Sequence, residues 1–146
     1  MIFKHYEISK INLDKLGIIL LYGKNDGLKN EVIIKLIDNK DSILSYDEKE
    51  ILDNQENFLE SISSKSLFDT KRNIIIKRAT DKILNVIEII NSRRLDDIKI
   101  MILAENLEKK SKLRTFFEKS KNHLCIPFYP DNEQSLSKIC LNYFQI

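Results

Sequence analysis

Eight consecutive residues near the start of the chain, Gly23-Lys24-Asn25-Asp26-Gly27-Leu28-Lys29-Asn30, carry the residue types that handle phosphate. A working phosphate loop reads Gly-x4-Gly-Lys-Ser/Thr: amides cradle the phosphates, the lysine reaches the outer ones, and the hydroxyl holds magnesium. Here Gly23 and Gly27 stand one residue too close together, and Lys24 lies between them. Leu28 follows the second glycine, Lys29 is displaced by one position, and Asn30 is a poor stand-in for the hydroxyl. The stretch therefore reads as a glycine turn capping a helix rather than as a nucleotide site. A second position agrees. Phosphoryl-transfer enzymes of this type place an acidic residue at the end of a buried strand to hold magnesium. The run Asn73-Ile74-Ile75-Ile76 instead ends in Lys77-Arg78, two cations that would repel the metal.

Other reactive side chains form no constellation. His5 and His123 have no partner pattern, and His123 reads as a structural residue at the start of a strand. Cys125 and Cys140 show no repeated spacing and read as buried thiols. No Gly-x-Ser-x-Gly elbow is present. Lys109-Lys110-Ser111-Lys112-Leu113-Arg114 is the densest basic run. It reads first as a solvated helix start and second as a contact for phosphate or a partner, through Lys109, Lys110, Lys112 and Arg114. Leu67-Phe68, ahead of the isoleucine run, is an apolar pair where the chain should be turning at the surface. Either it extends the Phe58, Leu59, Ile62 stripe into the core, or it is kept for a partner. Composition alone leans toward the core.

The elements that position these residues follow from periodicity. Unbroken apolar runs predict strands at 17–22, 42–46, 73–78, 98–104 and 123–128, the first central and the second weaker and nearer an edge. Helical spacing predicts helices from Leu28, over 47–62 with a break near Asp53-Asn54, from Asp81 as N-cap, over 108–119 and over 131–144. Residues 1–15 have no clear period. Strands alternating with helices predict a three-layer α/β/α domain around a mainly parallel five-stranded sheet.

With 146 residues the chain fits one domain. Its 42% hydrophobic and 32% charged residues are ordinary for a soluble protein, and a net charge of +2 is too small to argue by itself for nucleic acid or a membrane surface. No apolar run is long enough to span a membrane and the N-terminus lacks a secretion-signal layout, so a cytoplasmic chain is expected.

Three stretches, taken in order, resemble a known family: Tyr22-Gly23-Lys24-Asn25-Asp26-Gly27, then Ser66-Leu67-Phe68 ahead of Lys71-Arg72-Asn73-Ile74-Ile75-Ile76, then Leu103-Ala104-Glu105-Asn106-Leu107-Glu108-Lys109-Lys110-Ser111-Lys112-Leu113-Arg114. Together with the closing Ile126-Pro127-Phe128-Tyr129-Pro130-Asp131-Asn132-Glu133, they look like the first domain of the delta subunit of bacterial DNA polymerase III, a clamp-loader component. The resemblance implies an AAA+-like, P-loop NTPase type of fold with a degenerate phosphate loop at Gly23, Lys24 and Gly27. It implies no ATP hydrolysis and no cofactor, within a holoenzyme that is itself a DNA-directed DNA polymerase (a nucleotidyltransferase).

The implied partners are the ring-shaped sliding clamp (beta subunit) and the other loader subunits, delta prime and tau/gamma, with DNA met only in the full complex and no membrane. In the family the Leu-Phe of a Ser-Leu-Phe motif plugs a pocket on the clamp, which carries over to Ser66, Leu67 and Phe68. Ser64 and Lys65 stand where the fuller pattern prefers Gln and an aliphatic residue. Lid and collar domains, present in longer delta subunits, are absent from this sequence, so the resemblance implies an N-terminal domain alone. The alternative readings are a nucleotide-binding P-loop domain and a DNA-binding domain.

Overall fold

The computed structural model describes Ile2 and residues 17–37, 42–63, 72–93 and 98–128. Five strands, β1 (Ile18–Gly23), β2 (Ser42–Asp47), β3 (Arg72–Lys77), β4 (Ile98–Ala104) and β5 (Leu124–Phe128), form one sheet in the order β2-β3-β4-β1-β5. Every pairing is parallel, with Ile18 opposite Ile100, Gly23 opposite Phe128 and Ile74 opposite both Leu44 and Ile100. The isoleucine run is buried on both faces of the sheet, as unbroken β-branched sequence requires. β2 occupies an edge and exposes Ile43 and Leu44, in keeping with its shorter apolar run.

Helices α1 (Asp26–Leu36), α2 (Glu48–Asp53), α3 (Gln55–Ser63), α4 (Leu84–Arg93) and α5 (Lys112–Lys119) pack on the two faces. α1 covers one with Val32, Ile33 and Leu36 against Ile19, Leu21, Ile75, Met101 and Ile126. The other face meets α2 to α5 through Ile51, Phe58, Ile62, Val86, Ile87, Leu113 and Phe117. The break predicted near Asp53-Asn54 falls at Asn54, between α2 and α3. Two expectations are corrected. α5 begins at Lys112 rather than at residue 108, because Ser111 caps it by accepting from the Arg114 N–H at 3.2 Å. Asp81 is not the N-cap of the helix that follows it: Thr80 caps a 3-10 turn, Asp81–Ile83, that leads into α4.

No described helix is long and apolar enough to cross a membrane. The terminal helix expected over 131–144, the 1–15 stretch, His5 and Cys140 lie outside the described residues.

Candidate functional site

The connection out of β1 runs through α1 toward β2 on one face of the sheet. The connection out of β4 runs through α5 toward β5 on the other. The crevice between the carboxyl ends of β1 and β4 is therefore the topological switch point, where open α/β sheets bind their ligands. A cleft of about 310 Å3 lies there, lined by Asp26, Lys29, Asn30, Lys77, Arg78 and Glu105.

Its floor is already engaged from within the chain. Only Lys24 and Asn25 separate β1 from α1, and Gly27 falls inside the first turn of that helix. A link of two residues is too short to wrap a chain of phosphates. The Gly23 N–H donates to the Glu105 carbonyl at 3.1 Å. The Leu28 N–H donates to Asn25 Oδ1 at 3.2 Å, which makes Asn25 the N-cap of α1. Gly23 has a φ of +125°, and a Cβ there would collide with the Phe128 carbonyl across the β1–β5 pairing. Its glycine character thus serves the close approach of two strands. Gly27 has no such constraint, since a Cβ would meet nothing nearer than Asn25 Oδ1 at 3.8 Å.

Lys29, which the sequence offered only as a displaced phosphate-loop lysine, has a structural partner instead. Its ammonium donates to the carbonyl of Ala104, the last residue of β4, at 3.1 Å and pairs with Asp26 Oδ1 at 3.0 Å, and the residue is only 5% exposed. Helix α1 is thereby tied to the end of β4, across the crevice. The signal was there to read: positions 29, 32, 33 and 36 share one helical stripe, so a lysine stood among the inward-facing residues. A buried ammonium needs a carbonyl or an anion to offset its desolvation.

At the neighbouring strand ends, Lys77 is exposed, and Arg78, with a φ of 55°, pairs with Asp47 Oδ2 at 3.0 Å. The Ala79 N–H then returns to the Leu103 carbonyl at 2.9 Å. Glu48, a buried carboxylate close by, is filled by the Thr80 N–H at 2.8 Å and the Thr80 hydroxyl at 2.9 Å.

The basic run divides. Lys109, Lys110 and Lys112 are exposed. Arg114 turns inward, donating from Nε to Glu118 Oε1 at 2.7 Å and from Nη1 to the Leu107 carbonyl at 2.9 Å, with its guanidinium 5.2 Å from the Tyr22 ring centre. The hydrogen bond that it donates to Glu118 holds its pKa above the usual arginine value. A residue so occupied is part of the packing that joins α5 to β1.

His123 and Cys125 are structural, as expected. Nε2 of His123 lies 2.8 Å from Asn91 Oδ1, the ring stacks on Phe116, and burial lowers its pKa. Cys125 is fully buried, which pushes its thiol up to about 12. Among the described residues no group of three His, Cys, Asp or Glu side chains could hold a metal ion.

Ser66, Leu67 and Phe68 lie outside the described residues. The two ends of the chain that carry them are tied together. Arg72, the first residue of β3, donates to the Ser61 and Ile62 carbonyls at 3.0 and 2.9 Å, and Arg93 of α4 donates to Ser63 Oγ at 2.7 Å. Both arginines meet the last turn of α3, where cations and donors suit the exposed carbonyls.

Fold and cleft together define an all-parallel, five-stranded α/β domain whose loop after β1 is bonded internally. No protein-family profile matches the sequence, and no curated protein sequence matches it. Among solved structures, the fold is similar to that of the Bacillus subtilis DNA clamp loader delta protein (YqeN), with a TM-score of 0.69 at 16% sequence identity. That likeness covers 94% of this chain and 46% of the Bacillus protein, so the chain spans about half the length of its structural relative.

Proposed function

We propose that this chain is the N-terminal domain of a clamp-loader subunit of the delta type, without catalytic activity of its own. In this reading it grips the bacterial sliding clamp through Leu67 and Phe68 and helps open the ring for loading onto primed DNA. Its other partners are the remaining loader subunits, of the delta prime and tau/gamma kinds, and it works in the cytoplasm. The observation that carries the reading is the likeness in fold, over nearly the whole chain, to a clamp loader delta protein. Two features support it: the two-residue link after β1, and Arg72 joining the ends of the segment that bears Ser66, Leu67 and Phe68. A recognition segment held at a fixed base loses less entropy on binding than one on a free tail.

Full burial of Leu and Phe side chains is worth about 1.5–3 kcal/mol each. The variant Leu67→Ala with Phe68→Ala is therefore expected to weaken binding to the sliding clamp more than about a hundredfold. Its circular dichroism and urea midpoint should match the parent chain. Undiminished clamp binding would refute the assignment, and a collapsed fold would return Leu67 and Phe68 to the core.

A further inference from the structure

Helices α4 and α5 border a second groove, of about 560 Å3, on the face of the sheet away from α1. Leu84, Glu88 and Asn91 line it from α4 at helical spacing, so it runs along about two turns, roughly 10 Å. Leu84 and Phe116 are partly buried apolar residues packed against the core, and they give the groove its floor. Lys110, Lys112 and Lys119 stand on its rim, against Glu88 as the one carboxylate among the described lining residues. All three lysines are exposed, and none is within ion-pair distance of a carboxylate among the described residues.

We infer that this groove docks an acidic amphipathic helix of a protein partner. Apolar side chains of that helix would cover Leu84 and Phe116, and carboxylates on its flanks would meet the three lysines. Two lining helices with an apolar seam between them suit the helix-in-groove mode of recognition, in which anchors at successive turns enter a channel. The excess of cations selects acidic partners and speeds their approach. Nucleic acid fits less well. Single strands are held by aromatic faces that receive bases, together with arginines. The Phe116 ring is already stacked on His123 and set edge-on to Phe117, and among the described residues no arginine lines the groove.

The inference does not rest on the clamp reading, and the two fail separately. A 15N-labelled chain is titrated with a synthetic amphipathic helix of about fourteen residues, bearing leucines on one face and glutamates beside them. Saturable shifts are expected at the amides of Leu84, Glu88, Thr115 and Phe116. Lys112→Glu with Lys119→Glu is expected to weaken binding about tenfold, as is replacing the peptide's glutamates with glutamines. Leu67→Ala with Phe68→Ala should leave this binding unchanged. The inference is overturned if the peptide gives no saturable shift up to about 1 mM. It is also overturned if an oligothymidylate of the same length binds these amides more tightly than the peptide does.

Discussion

Lys29 and Gly23 hold the carboxyl end of the sheet by opposite means. The lysine supplies a long donor that spans the crevice, and the glycine supplies an absence of side chain where two backbones meet. Lys29→Met retains the aliphatic stem and removes the bond to the Ala104 carbonyl. It is expected to lower the unfolding free energy by about 1–2 kcal/mol in urea titration, with an unchanged m value. The two glycines of the loop should separate cleanly. Gly23→Ala forces a Cβ onto the Phe128 carbonyl at a left-handed φ, which should cost more than about 3 kcal/mol. Gly27→Ala sits in the first turn of a helix where its Cβ would make only an ordinary contact with Asn25, and should gain about 0.5–1 kcal/mol in thermal unfolding. Equal effects at the two positions would mean that the loop is not the strand-packing turn described above.

Among the elements, α5 depends on a side chain some thirty residues earlier. The Asp81 carboxylate accepts from Ser111 Oγ at 2.5 Å and from the Leu113 N–H at 3.2 Å, joining the 3-10 turn before α4 to the first turn of α5. The hydrogen bond from Ser111 holds the Asp81 pKa below the usual carboxylate range. A folded-state value below the unfolded one means that Asp81 stabilises the protein above the ordinary carboxylate pKa. That contribution is lost as pH falls through the folded value. Asp81→Asn is expected to cost about 0.5–1 kcal/mol at pH 7, a figure kept small because the carboxylate faces solvent. The gap between parent and variant should narrow below about pH 4. Urea midpoints at neutral and acid pH measure this, and a gap that does not change with pH would show that the carboxylate's charge contributes nothing.

For the molecule as a whole, the all-parallel order β2-β3-β4-β1-β5 creates a switch-point cleft, and the chain's own bonds then occupy its floor. In an open α/β sheet that binds nucleotide at its switch point, that space would be open to phosphate. Isothermal titration of ATP with magnesium into this chain is expected to give no saturable heat up to about 1 mM ATP. A saturable isotherm would reinstate the P-loop reading against the short link after β1. Among the described residues the cleft at the strand ends and the α4–α5 groove share no lining side chain, so they can be tested one at a time.

Local sequence determined the strands, because β-branched runs and helical stripes express a physics that acts over a few neighbours. β1 through β5 fall within a residue or so of their predicted spans, and β2 sits at an edge as its weaker apolar run implied. The mismatch at Gly23, Lys24 and Gly27 was equally legible, since loop spacing is itself local. Tertiary structure alone decided which strands are neighbours, that Lys29 would find Ala104 seventy-five residues away, and that Asp81 would bond to Ser111 and Leu113 at the start of α5 rather than cap its own helix. It also turned Arg114 inward while leaving Lys110 and Lys112 on the surface. A side chain's donors are written in the sequence, but the acceptor that meets them depends on how distant segments pack.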